Sequence, residues 1–459
     1  MTASGFTPRQ RLAVLLMVIA VIVVFGMLAG LVVTSVQRWE SPPPAVPQPF
    51  VSSAPTPTGS QPTPTQAEVP EEGIWSQVQA ARLFDQIAHQ VETLRGLSPR
   101  AEVPLSFLDE AEMVTLVRRV HDKRDIETGL LPYTSLDLLS DEAISIRLQP
   151  AAGIYVPDQQ QLYVATGPQE SDADDQALLA HAYAHALQDQ HFDLGAMDAR
   201  AMTTDAALAI DALVEGDATL LTALYRYEDP AVADWEHLAE LILRGEQPGY
   251  RGDLGRSEAW ARLQRFPYVE GRRFAGVLFQ DGGWQALDDA YTDPPRSTSQ
   301  VIHPERYLEE RRSPPLVVVP DLSETLGEDW EMLLQDTLGE FVVGLYLDAV
   351  LPEEVAWQTA DGWEGGTFVV WEHEDGSRVL IWRTIWDSTV AAAEFERALT
   401  TMVTHRYVPA WPVDSPRGIP GQWWETNAEA VCVSRVARYV LTVQAPDLNA
   451  LANIVEVLP

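Results

Sequence analysis

Apolar residues at Ile74, Val78, Ala81, Ile87, Val91 and Leu94 recur at helical spacing, and Gly96 and Pro99 end the run. A short extended piece, Glu102 to Phe107, precedes a second predicted helix opened by Asp109 and continued through Met113, Leu116, Val117 and Val120. Two β-prone runs, Gly153 to Val156 and Leu162 to Ala165, flank Pro157, Asp158 and three glutamines, which predicts a hairpin. Helices are expected next over Asp174 to Gln190 and Thr204 to Tyr225, with a Gly195-containing turn between them. Pro314, Pro315, Pro320 and Asp321 mark a boundary. Beyond it the pattern predicts a helix over Ser323 to Val350 and a hairpin of Thr367 to Trp371 with Val379 to Trp386 around Glu-Asp-Gly-Ser. A helix at Val390 to Val403, strands near Ala430 to Ser434 and Arg438 to Gln444, and a last helix at Leu448 to Val457 follow. Two successive hairpin-and-helix units suggest an α+β layer domain whose many tryptophans serve packing.

The N-terminal pattern differs. Leu12 to Val36 contains no charged residue, and a helix of that length, at about 1.5 Å per residue, exceeds the roughly 30 Å hydrocarbon core of a bilayer. A cleaved signal peptide has an apolar region of about 7 to 15 residues and a small-residue cleavage site. Here Gln37, Arg38 and Trp39 follow directly. The expectation is an uncleaved single-pass anchor, with residues 1–11 as a cytoplasmic tail because Arg9 and Arg11 precede the span and only Arg38 follows closely. Residues after about 40 are then expected outside the cytoplasm. The 37–70 stretch reads as a proline-rich linker, since Ser41 to Pro70 holds ten of the 33 prolines.

With 31 basic and 67 acidic side chains the formal charge is -36, which argues against nucleic acid or anionic lipid as a partner of the outer portion. A single Cys432 excludes an intrachain disulfide and a cysteine-based zinc site, and between Val431 and Val433 it reads as a small buried hydrophobe.

The chemistry lies at His181-Ala182-Tyr183-Ala184-His185. Histidines at i, i+4 point to one helix face as metal ligands, and in the H-E-x-x-H pattern the intervening Glu takes a proton from metal-bound water. Here Ala182 stands in the position of that base. Thirty residues after His185, Glu215 sits in Val214-Glu215-Gly216-Asp217-Ala218 on the next predicted helix. Two imidazoles and a carboxylate, with a fourth place for water, make a tetrahedral zinc set.

The run His181 to Asp193, with Ala186-Leu187-Gln188-Asp189-Gln190 after the second histidine, and Asp211 to Ala218 resemble bacterial proteins of the gluzincin-like metallopeptidase type. The resemblance covers roughly Gly153 to Pro320, including Tyr268, Gly271, Gly282-Gly283-Trp284, Pro294-Pro295 and Ile302-His303-Pro304-Glu305-Arg306-Tyr307. It implies His181, His185 and Glu215 as zinc ligands. Asp189 or Asp211 is a candidate to orient a ligating imidazole, and His303 or Tyr307 to stabilise an oxyanion. The departure at Ala182 removes general-base assistance, typically worth about 10² to 10⁴ in rate.

The expected architecture is therefore a membrane anchor, a linker, a mostly helical gluzincin-like domain over 71–320 and an α+β domain over 321–459. The expected function is binding of a peptide or cell-envelope protein by a catalytically impaired domain. Two alternatives stay open: a working zinc metallopeptidase with another base, and a structural envelope protein without metal.

Overall fold

The structure, a computed structural model, describes residues 77–122, 126–138, 153–165, 172–246, 257–311 and 313–459. The first part of the chain builds a small sheet flanked by helices. Helix α1 (Gln77–Arg95), strand β1 (Leu105–Leu108), helices α2 (Glu110–Asp122) and α3 (Ile126–Ser135), and strands β2 (Gly153–Val156) and β3 (Gln161–Ala165) come in that order. The sheet runs β1-β3-β2, with β1 parallel to β3 and β2 antiparallel to it, so that Leu162 lies opposite both Leu105 and Tyr155. A tight turn at Pro157–Gln159, closed by Gln160 in the left-handed region at φ 48°, makes the expected hairpin.

Helix α4 (Ala173–Phe192) starts at a capping box, the Asp172 side chain accepting from the Asp174 and Asp175 amides while Asp175 returns a bond to the Asp172 amide. Every residue from Ala177 to Gln188 is buried. An amphipathic helix cannot be buried all round, and the alanines here allow α1, β2 and β3 to close on α4 at once. A short helix α5 (Leu194–Asp198) leads to α6 (Thr204–Tyr227), and α7 (Trp235–Glu246) precedes the long α8 (Ser257–Thr292), which is interrupted at Gly282 and Gly283, the latter at φ 65°. Helix α9 (Thr298–Ile302) ends this part.

Helices α6 and α8 meet backbone to backbone. A Cβ on Gly216 would stand 2.2 Å from Gly271 O, and one on Gly271 would stand 2.2 Å from Ala212 O. The glycine following Glu215 is thus required by this crossing.

The remaining chain holds α10 (Ser323–Leu326), β4 (Trp330–Asp336), α11 (Glu340–Asp348), α12 (Glu353–Ala360), β5 (Trp363–His373), β6 (Arg378–Trp386), α13 (Thr389–Arg406), β7 (Ala410–Val413), β8 (Gln422–Thr426), β9 (Ala430–Val436), β10 (Tyr439–Ala445) and α14 (Leu448–Val457). Its strands form one sheet in the order β4-β5-β6-β10-β9-β8-β7, antiparallel throughout. Side chains alternate between faces: Phe368, Val370 and Trp382 join the core that includes Phe395 of α13, while Val369, Trp371 and Ile381 join the one that includes Leu451 and Ile454 of α14. Burial on both faces explains why β5 and β6 read as continuous apolar runs. Cys432 lies in the second core at 0 % exposure, where burial pushes its thiol pKa up to about 12.

Several expectations need correction. Among the described residues no helix is long and apolar enough to cross a membrane. Long helices here carry charges along their length, as α6 does at Asp205, Asp211, Glu215, Asp217 and Arg226. The fold class is corrected to mixed helix and strand, since no described helix supplies the transmembrane element, while the span expected at Leu12 to Val36 and the linker lie outside the described residues. The single-pass, extracytoplasmic location is corrected with it, having no described membrane helix to rest on.

The helix expected over Ser323 to Val350 is instead α10, β4 and α11, because Gly327 at φ 97° and Gly339 divide the segment and β4 pairs with β5. The two expected C-terminal hairpins join in a single seven-stranded sheet. Strands β7 and β8 and helix α8 had no counterpart in the sequence pattern.

The chain from Glu72 to Pro459 clusters as one unit of mixed helix and strand. Phe274, Tyr307, Leu338 and Trp386, from both sides of the expected boundary near Pro320, share one core. Polar ties reinforce it: Thr204 donates from its amide (2.8 Å) and its hydroxyl to Asp336 at the end of β4. Asp205 accepts from the Thr298 amide (2.9 Å) and hydroxyl (2.6 Å).

Candidate metal centre

Helix α4 places His181 and His185 one turn apart on the face turned to α6. Their rings meet edge to face with centroids 4.7 Å apart. Their Nε2 atoms stand 3.1 Å from each other, and Glu215 Oε2 on α6 lies 3.3 Å from His181 Nε2 and 3.5 Å from His185 Nε2. Three donor atoms thus form a nearly equilateral triangle. Ligands held about 2.0–2.1 Å from a tetrahedral zinc stand roughly 3.3–3.4 Å apart, the same spacing.

The surrounding hydrogen bonds decide which ring nitrogen carries the proton. Thr222 on α6 donates its hydroxyl to Ala218 O at 2.7 Å, which leaves its Oγ1 to accept from His181 Nδ1 at 3.1 Å. The Gln188 amide nitrogen donates to Val214 O (3.0 Å) and Asp217 Oδ2 (3.1 Å), so its oxygen faces His185 Nδ1 at 2.8 Å and must accept. Both imidazoles are therefore held with the proton on Nδ1 and the Nε2 lone pair turned toward Glu215. Two lone pairs and a carboxylate oxygen facing one another at this range repel unless a cation or proton lies among them. His181 is fully buried, whereas the His185 and Glu215 side chains are 11 % and 18 % exposed, so the group is approached from the His185 and Glu215 side.

Behind this triangle lies a buried ion pair. Arg95, at the end of α1, donates Nε to Asp217 Oδ1 (2.9 Å) and Nη2 to Asp217 Oδ2 (3.1 Å), and Nη2 also reaches Asp288 at 2.7 Å. Burial works against the charge on Arg95, but Asp217 outweighs it and holds its pKa above the ordinary value. Tyr291 donates to Asp217 Oδ2 at 2.8 Å, and burial followed by the Asp217 charge keeps its hydroxyl protonated well beyond the usual range. Arg95 also lies over the Trp284 ring, 4.6 Å from its centre. Asp217 therefore anchors Gln188, and through it His185.

The other candidate residues lie elsewhere. Asp189 accepts from Tyr155 of β2 (2.6 Å) and from the Leu194 amide (3.2 Å), tying α4 to the sheet rather than orienting an imidazole. Asp211 is exposed one turn before Glu215. The imidazole-orienting partners are instead Thr222 and Gln188, and Asp217 stands behind them. Gln188 had a sequence signal, three residues after His185 on one helix face. Arg95 had none, being 122 residues from Asp217 in the chain.

Tyr307 is 2 % exposed and donates to Asp293 O at 2.8 Å, so its hydroxyl is already committed. His303 stands in a second group, 2.7 Å from Glu340 Oε1 and 3.1 Å from Asp361 Oδ1. Arg306 binds both of those carboxylates, at 2.9 and 2.8 Å, and supplies the cation that the group needs. Burial opposes the His303 charge, and the bond to Glu340 outweighs it and raises the pKa. This cluster clamps α9 to α11, and neither His303 nor Tyr307 joins the triangle.

Ala182 is at 0 % exposure, and its Cβ stands 3.8 Å from where a side chain on Gly153 of β2 would begin. Tyr183 points the opposite way and donates to Glu92 of α1 at 2.8 Å.

The profile of one family, a domain of unknown function (DUF8575), matches residues 331–455, the part that builds the seven-stranded sheet. It does not reach the histidines. No curated protein and no solved structure matches the chain.

Proposed function

We propose that His181, His185 and Glu215 hold a zinc ion in a gluzincin-like domain that binds a peptide without cleaving it. The observation that supports this most is the triangle of donor atoms, with both Nε2 lone pairs turned inward by Thr222 and Gln188. Zinc bound there would supply a Lewis acid with one place left for an outside ligand. The partial exposure of Glu215 and His185 supports an accessible centre over a closed structural one, and a peptide carbonyl or carboxylate oxygen is the ligand type such a place takes.

The chain's own residues argue against hydrolysis. Ala182 can neither accept a proton from water nor return one to a leaving amine. Tyr183, Asp189, His303 and Tyr307 are each engaged with other partners.

Metal analysis of the purified full chain tests the reading. The expected result is about one zinc per chain, lost in His181→Ala and in Glu215→Ala, with no chelator-sensitive peptide hydrolysis. Metal-free wild type with folding intact would remove the zinc proposal. Robust chelator-sensitive proteolysis would instead favour the alternative of a working metallopeptidase with another base.

A further inference from the structure

Helix α1 touches both of the helices that carry the candidate ligands. Phe84, Ile87 and Val91 of α1 share one core with Tyr183 and Leu187 of α4 and Leu221 of α6. Two polar ties complete the contact, and they start from Glu92 and Arg95, three residues apart and therefore neighbours on one face of α1. Glu92 accepts from the Tyr183 hydroxyl at 2.8 Å, and Tyr183 lies midway between His181 and His185 on α4. Arg95 gives Asp217 both arms of its fork, at 2.9 and 3.1 Å, and Asp217 lies two residues beyond Glu215 on α6. Each ligand-bearing helix is thus tied to α1 within two residues of its ligands.

The donor triangle depends on the gap that these ties span. Its His181 to His185 side is set within α4 by the i, i+4 spacing, but the two sides to Glu215, 3.3 and 3.5 Å, cross from α4 to α6. A metal site tolerates departures of about 0.2 Å in its ligand distances. A small drift of α6 away from α4 therefore loses the carboxylate while leaving the histidine pair intact. The tie from α1 to α6 resists such drift, because Arg95 and Asp217 are both buried and parting them leaves charges uncompensated. From the other side, an ion that draws Glu215 toward the imidazoles closes the same gap and favours the surface on which α1 rests. Two equilibria that share one geometry are linked, and the linkage acts in both directions.

We propose that α1 is a clamp on the metal centre: seating of α1 against α4 and α6 and binding of the metal are coupled, each favouring the other. The proposal rests on the zinc reading given above and adds a device that regulates that site. Whatever displaces α1 releases the metal, and metal binding locks α1 down.

Hydrogen exchange of the full chain, followed with and without zinc chloride, tests this. If zinc binds only with α1 seated, free zinc at about 100 times its Kd should slow exchange of the α1 amides by up to about 100-fold. The slowing should be larger in α1 than in α14, which packs on the seven-stranded sheet away from the ligands. In metal-free protein, Glu92→Ala should speed α1 exchange by about 10-fold, the loss of one hydrogen bond to a charged group. Glu92→Gln, which keeps an acceptor for Tyr183, should stay close to wild type. Arg95→Lys, which keeps the charge and gives up the fork, should also speed α1 exchange. Zinc uptake with α1 slowed no more than α14 would overturn the clamp and leave the zinc reading standing. Folded wild type that takes up no zinc would overturn both. Unchanged α1 exchange in Glu92→Ala and Arg95→Lys alike would show that the two ties do not hold α1, and would also overturn the clamp.

Discussion

The Gln188 side chain donates to Asp217 Oδ2 at 3.1 Å, and this bond turns the amide oxygen toward His185. An amide reversed at this position would present N–H to Nδ1 and move the imidazole proton to Nε2, where it would block metal binding. Gln188→Ala should therefore lower zinc affinity by about 10- to 100-fold while leaving ligands and fold in place. Competition against a chromophoric chelator measures it. Unchanged affinity would show that Gln188 does not orient His185.

Ala182→Glu tests whether a base can simply be put back. The position is fully buried and lies against β2 at Gly153, so a carboxylate there must displace the strand or be buried without its charge. The expected outcome is a lower Tm and no gain in peptide hydrolysis with zinc supplied. A rate rising toward the about 10² to 10⁴ that general-base assistance contributes would show that the strand yields and the cleft is intact.

Gly216→Ala should destabilise the fold by about 1–3 kcal/mol or more, since the added methyl meets the Gly271 carbonyl within van der Waals contact. Because α6 carries Glu215, the same substitution should also weaken zinc binding. Chemical denaturation gives the first effect and metal titration the second. A neutral Gly216→Ala would contradict the backbone contact between α6 and α8.

Asp205 predicts a pH dependence. Burial raises its pKa to about 7, with the Thr298 bonds opposing and the Glu340 and Asp336 charges adding to the rise. A carboxyl whose folded pKa is raised binds its proton more tightly in the folded state. Its stabilising contribution is thus complete below the ordinary carboxylate range and is lost as pH climbs through about 7. Wild type should lose stability between about pH 4 and 7 from this residue, on the order of a few kcal/mol. Asp205→Asn, which keeps an oxygen for the Thr298 donors, should flatten that slope and be the more stable form at pH 8. Parallel unfolding curves across the range would show that Asp205 stays ionised.

Some of this molecule was legible from local pattern. The i, i+4 histidines, the hairpin around Pro157, the helix with Glu215 and the β5–β6 hairpin each follow from spacing within a few residues, which backbone geometry translates directly into faces and turns. The partners that orient the two imidazoles were not all of that kind. Thr222 faces His181 from across two helices, and Arg95 reaches Asp217 from the far end of another, so only packing brings them together. The same distinction explains β4, whose apolar residues fit a helix until pairing with β5 and the breaks at Gly327 and Gly339 make it a strand. It also explains Ala182. Its identity in the chain puts a methyl group where the H-E-x-x-H pattern has its base, while the closed space beside Gly153 depends on where β2 lies, and strand placement is decided by long-range contacts that no short stretch of sequence contains.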